Sequence, residues 1–231
     1  MVSILDVGQF EGRGLLSLTL PSEIQGSLKL LCLGAHSDDI EIGCGGSILR
    51  IAAEVPDLTV RWIVFSADER RATEARNSAN AILENVSDKQ IEVLGFRDGY
   101  FPSQSADIKD RFEALKRDFD PSLIMTHWHN DAHQDHRLLA ELTFNTFRNH
   151  LVLEYEIPKY DGDLGNPNFF VPLTRAQLQR KIDTILHHFV SQRGRSWFEN
   201  ETFAAMARLR GVGCNAFEGV AEAFYARKVV F

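Results

Sequence analysis

The chain has 231 residues, 44% of them hydrophobic and 25% charged, the profile of an ordinary globular protein with one substantial core. A formal charge of −7 with no basic run to offset it argues against a nucleic-acid partner, and no apolar segment approaches the roughly 20 residues that span a bilayer. Three cysteines, Cys32, Cys44 and Cys214, lack C-x-x-C spacing, and the start shows no secretory leader, so a cytoplasmic protein with reduced thiols is expected.

Residues 1–26 read as an N-terminal arm or hairpin, with Gly12-Arg13-Gly14 as its turn and 15–20 as a short strand. A first central strand is expected at 29–34 and its helix at about 45–54, stopped near Pro56. A second strand at 60–65 leads to an alanine-rich helix at about 69–85, with Ala72, Ala75, Ala79, Ile82 and Leu83 at helical spacing. A third strand at 91–94 ends in the turn Arg97-Asp98-Gly99. A helix at 108–119 and a fourth strand at 123–126 follow. Residues 159–168 form a polar loop. Thr174 with Gln177 marks a capping box for a helix running to Val190. A last helix is expected at 200–210 and a closing strand at 222–230. This alternation predicts an α/β fold, a Rossmann-like, doubly wound and mostly parallel sheet flanked by helices in a single domain over 1–231.

Two stretches carry the chemistry. The apolar run of the first strand ends in Gly34-Ala35-His36-Ser37-Asp38-Asp39, followed by Glu41 and a glycine cluster, Gly43-Cys44-Gly45-Gly46. Continuous apolar character suits a central parallel strand, and open parallel sheets bind ligands beyond the carboxyl ends of such strands. The fourth strand opens into Thr126-His127-Trp128-His129-Asn130-Asp131-Ala132-His133-Gln134-Asp135-His136, which holds four of the eight histidines. Imidazoles and carboxylates from two loops at one sheet edge suit a divalent metal. A catalytic zinc takes three protein ligands and keeps a position for water, whose pKa it lowers. His36, one of Asp38 and Asp39, and a histidine of the second loop could supply the ligands. The other aspartate is then free as a base, and spacing leaves open which is which.

These motifs resemble a known family. Ala35-His36-Ser37-Asp38-Asp39 with Glu41, Gly43, Gly45 and Gly46 is similar to the A-H-P-D-D-x-E-x-G-x-G-G signature of the zinc-dependent PIG-L/LmbE-like N-acetylglucosaminyl deacetylases. Asn130-Asp131-Ala132-His133-Gln134-Asp135-His136 is similar to that family's N-D-x-H-x-D-H motif. Arg71-Ala72-Thr73-Glu74, Arg97-Asp98-Gly99, Ser191-Gln192 and Ala221-Glu222-Ala223-Phe224 extend the likeness over most of the chain from residue 29. The resemblance implies Zn²⁺ on His36, Asp39 and His136, with Asp38 as the base. It implies His133 as the stabiliser of the oxyanion, protonated or hydrogen-bonding, and Asp135 as the group that orients it. Arg71 and Asp98 would contact sugar hydroxyls. The implied reaction frees acetate and an amine from a small N-acetylated sugar or glycoconjugate, and relatives of this kind often form homo-oligomers. Ser37 stands where the family usually has proline, and no ligand is lost by it.

Some residues admit plainer roles. Gly43-Cys44-Gly45-Gly46 lacks a Walker lysine, so close helix–strand packing is expected over a phosphate cradle. Trp128 could wall a substrate or pack at the rim. His187 and His188 fall in a helix and are expected as surface or packing residues. The loop over 155–172 is where substrate choice is expected. Two histidines and a carboxylate also serve non-haem Fe(II) oxygenases, but the strand–helix alternation and the spare base count against that alternative. Intact ligands and base count against a non-catalytic sugar-binding relative.

Overall fold

The computed structural model of the chain describes residues 27–229 and the backbone of 6–8 and 17–19. Strands β1 (Asp6–Gly8) and β2 (Ser17–Thr19) pair antiparallel, in keeping with a hairpin, while the Gly12-Arg13-Gly14 turn lies outside the described residues. The main sheet comprises β3 (Leu28–Gly34), β4 (Leu58–Val64), β5 (Asp88–Val93), β6 (Leu123–His127), β7 (Leu151–Tyr155), β8 (Phe169–Pro172) and β9 (Ala221–Ala226). Their spatial order is β5-β4-β3-β6-β7-β9-β8. The first five in that order are parallel, and β9 runs antiparallel to both β7 and β8. Leu30 and Cys32 of β3 enter the core on one face and Leu31 and Leu33 the core on the other, all four fully buried. That explains an apolar run without alternation.

Helices α1 (Asp39–Glu54), α2 (Glu69–Ile82), α3 (Ser105–Asp118), α4 (Gln134–Thr146), α5 (Arg175–His188) and α6 (Asn200–Gly213) connect the strands. Residues of α1, α2, α5 and α6 pack into one core and those of α3 and α4 into the other, so the sheet is covered on both faces. The strand order reverses between β3 and β6. Both the His36 loop and the histidine-rich loop therefore open into the crevice at that switch point, the place where such sheets bind ligands.

The structure corrects the expected start of α1, which begins at Asp39 rather than near residue 45, so Gly43, Gly45 and Gly46 are helical. Glycine costs a helix about 1 kcal/mol relative to alanine, and packing explains two of the three. A Cβ on Gly43 would lie 2.1 Å from Tyr155 Cδ2, and one on Gly46 would lie 2.4 Å from Leu173 Cδ1. The Gly46 and Ser47 N–H groups donate to the Glu222 carboxylate at 2.9 and 2.6 Å. Lys181 Nζ joins Glu222 at 2.6 Å and the Ile42 carbonyl at 2.7 Å. The glycine cluster thus seats β7, β9 and α5 against α1, the close packing expected of it.

Helix α4 and strands β7 and β8 have no counterpart among the expected elements, and β9 stops at Ala226 rather than near residue 230. Thr174 caps α5 as expected: its Oγ1 accepts the Gln177 N–H at 3.1 Å while Gln177 Oε1 accepts the Thr174 N–H at 2.9 Å. Among the described residues no helix is long and apolar enough to cross a membrane.

Candidate metal and catalytic site

Each loop at the switch point delivers its residues through a helix start. His36 lies two residues past the end of β3, Asp38 is the residue before α1, and Asp39 is the first residue of α1. His133 is the N-cap of α4, and Asp135 and His136 lie in its first turn. Arg71 sits in the first turn of α2, and Asp98 in the loop after β5.

The three residues expected to hold a metal meet. His36 Nδ1 lies 3.2 Å from His136 Nε2 and 3.3 Å from Asp39 Oδ2, and His136 Nε2 lies 3.5 Å from Asp39 Oδ2. At Zn–N and Zn–O distances of about 2.0–2.2 Å, tetrahedral ligand atoms stand about 3.3–3.6 Å apart. The triangle therefore fits one face of such a site. His136 Nδ1 faces Asp131 Oδ2 at 3.0 Å, which puts the ring proton there and leaves the Nε2 lone pair pointing at the triangle. Asp39 Oδ2 is fixed by the His36 N–H at 2.6 Å.

Charges in this buried cluster divide sharply. Burial would lower the His36 pKa, but Asp39, Asp135 and Asp98 together hold it well above the usual value. Burial would raise Asp39, yet His136, His127 and His36 keep it well below the carboxylate range. Burial and the neighbouring His127 push His136 down to about 4, so it is neutral at pH 7. Asp38 is raised by burial and by Asp39, against the pull of Arg71. Its Oδ1 lies 3.2 Å from Arg71 Nη2, whereas its Oδ2 has no partner among the described residues.

Asp135 sits differently from expectation. Its carboxylate accepts the Gly99 and Phe101 N–H groups at 2.7 and 3.1 Å and lies 3.4 Å from His36 Nε2, so it holds His36 rather than the His133 ring. His133 takes the Asp135 backbone N–H on Nδ1 at 3.3 Å, which leaves its proton on Nε2. Burial and the nearby His36 lower the His133 pKa, which favours a neutral ring that donates from Nε2. Asp98 lies 3.0 Å from His36 Nε2 and 3.8 Å from Arg71 Nη1, half exposed at the mouth.

Sequence reasoning left out three residues. His127, fully buried at the end of β6, stacks on His136 with ring centroids 3.8 Å apart and lies 3.2 Å from Asp39 Oδ2. Its Nε2 already accepts the Ala35 N–H at 2.9 Å, which engages the lone pair a metal would need. Its position at the carboxyl end of a central strand was the available signal. Asp131 was visible in the motif without a role. Lys159, 3.0 Å from Asp131 Oδ2, had no signal at all. Trp128 stacks flat on Tyr225 with centroids 4.6 Å apart, a rim aromatic packed by its neighbours. His187 and His188 lie in the last turn of α5, outside this cluster.

A doubly wound sheet with a His/Asp triangle and a spare aspartate at its switch point offers the donor set of a metal site beside a candidate base. Residues 31–147 match the PIG-L family, described as GlcNAc-PI de-N-acetylase. The chain belongs to that family and is, by class, a metal-dependent N-deacetylase, an amide hydrolase. It is 28% identical over 142 residues to the uncharacterized deacetylase YaiS of Escherichia coli strain K12, covering 56% of this chain and 74% of that one. The N,N'-diacetylchitobiose deacetylase of Pyrococcus horikoshii superposes with TM-score 0.63 at 20% identity, over 87% of this chain and 84% of that chain. The 4-carboxy-2-hydroxymuconate hydratase GalB of Pseudomonas putida KT2440 superposes with TM-score 0.68 at 16% identity, over 88% and 98%. The fold thus serves more than one chemistry.

Proposed function

We propose that this chain hydrolyses the acetamide of an N-acetylated amino sugar or its conjugate, with zinc held by His36, Asp39 and His136. The observation that carries this reading is the ligand triangle with a buried, unpartnered aspartate oxygen nearby. Bound there, zinc supplies Lewis acidity toward the acetyl carbonyl and lowers the pKa of water. Asp38 Oδ2 takes a proton from the water that attacks the carbonyl carbon, while Arg71 steadies Oδ1. His133 donates from Nε2 to the carbonyl oxygen as negative charge develops on it. Protonated Asp38 then returns the proton to the departing nitrogen as the C–N bond breaks, giving acetate and an amine. Arg71 and Asp98 at the mouth bind sugar hydroxyls. The free cysteines fit a cytoplasmic enzyme.

Protein stripped with a chelator should release no acetate from N-acetylglucosamine or diacetylchitobiose, and added zinc should restore the release. Metal-independent release, or a zinc-loaded protein inert toward every N-acetylated sugar tried, overturns the reading.

Zinc uptake should also depend on pH with a defined sign. In the metal-free protein Asp39, Asp135 and Asp98 outweigh burial and keep His36 protonated above its usual pKa. The metal must displace that proton, so apparent affinity falls as pH falls, by about tenfold per unit for one proton. Titration with zinc in weak buffer near pH 6.5 should release one proton per ion. Uptake with no proton released would mean that His36 is neutral before the metal arrives.

A further inference from the structure

We infer that the loop between β7 and β8 clamps the metal centre, with Lys159 as a positioning residue that acts through Asp131 on His136. This rests on the zinc reading above. Lys159 Nζ lies 3.0 Å from Asp131 Oδ2 and 2.8 and 2.6 Å from the two Asp163 oxygens, on a side chain only 11% exposed. Asp131 Oδ2 is the same atom that faces His136 Nδ1 at 3.0 Å, and Asp131 Oδ1 accepts the His133 N–H at 2.7 Å. One carboxylate thus serves the ring of a metal ligand, the backbone of the oxyanion donor and a cation from a loop some 28 residues away. Asp163 returns from that loop to accept the Ala132 N–H at 2.7 Å.

The rest of the loop is held from outside the site. Glu156 Oε1 accepts the Gly165 N–H and an Arg210 N–H, both at 2.9 Å, and the Tyr225 hydroxyl at 3.1 Å. Gly165 sits so close over Trp128 and Tyr225 that a Cβ there would lie 2.3 Å from the tyrosine oxygen. Buried ion pairs repay their desolvation poorly as stabilisers. What Lys159 contributes here is geometry: it stops the Asp131 carboxylate from turning away from His136. Groups behind metal ligands fix the tautomer and ring orientation, and losing one typically lowers metal affinity about 10–100-fold.

Positioning and bare charge predict opposite signs. Lys159 is a cation near a cation site, so by Coulomb's law alone its removal would tighten zinc binding. If it positions Asp131, Lys159→Met should weaken zinc by about tenfold or more in competition with a chelating indicator. Lys159→Arg, which keeps the charge and reaches both carboxylates, should recover most of that loss. In an Asp131→Asn background Lys159→Met should add little, because the path runs through Asp131. The Co²⁺-loaded Lys159→Met protein should show altered visible absorption bands, a readout that a merely structural lysine would leave alone. Affinity equal to or tighter than wild type in Lys159→Met, or fully additive losses with Asp131→Asn, overturns the inference. Should Lys159→Met not fold, Lys159→Gln, which keeps a donor without the charge, decides on the same scale. Wild-type protein that takes up no zinc would instead sink the zinc reading itself.

Discussion

Asp39→Asn protein will come off a desalting column without zinc and will release acetate no faster than background. Asp39 is the one anionic vertex of the triangle, 3.3 Å from His36 Nδ1 and 3.5 Å from His136 Nε2. Neighbouring histidines hold its carboxyl well below the usual range despite burial, which favours the charged form. An asparagine keeps the shape and can still accept the His36 N–H, but it brings no charge to offset a divalent ion. The fold should survive, because the amide has the size of the acid and its oxygen can stay on that N–H. Metal analysis after gel filtration is the deciding measurement, with circular dichroism as the control. Stoichiometric zinc in folded Asp39→Asn would remove this residue from the ligand set.

The core sheet was legible because its strands are short apolar runs set off by turns and helical spacing, as in 29–34 and 60–65. The glycine cluster misled for a physical reason. Gly43 and Gly46 break helices in isolation, but Tyr155, Leu173 and Glu222 lie so close that a Cβ would not fit, and the tertiary contacts override the local preference. Helix α4 hid behind the histidine motif, whose polar residues look like a loop although they form its first turn. The site residues themselves were readable because histidines and aspartates clustered at two strand ends have few other uses. Their pairing was less so: the Asp135 carboxylate reaches His36 across the crevice, a contact set by the pairing of β3 with β6, the strand that leads into α4. Lys159 was beyond reach, since nothing local in a polar loop says that its cation folds back onto Asp131.

Asp38→Asn should behave as the mirror image of Asp39→Asn: zinc retained, turnover lost. Asp38 stands just before α1 yet makes no cap with its side chain. Its Oδ1 is spoken for by Arg71, and its Oδ2 is buried without a partner among the described residues, on the residue next to the ligand Asp39. An unpartnered buried carboxylate oxygen is unfavourable unless something is meant to approach it. Burial and Asp39 raise its pKa while Arg71 restrains the shift, which favours uptake of a proton in the transition state. Asparagine keeps the Arg71 contact and the shape but cannot take the proton. The loss should be about 10²–10⁴-fold in kcat, equivalent to roughly 2.7–5.4 kcal/mol of barrier. KM should change little, because the group acts on water rather than on the sugar. Steady-state kinetics beside metal analysis separates the cases. A variant within tenfold of wild type would place the base elsewhere, and one that lost its zinc while Asp39→Asn kept it would exchange the roles of the two aspartates.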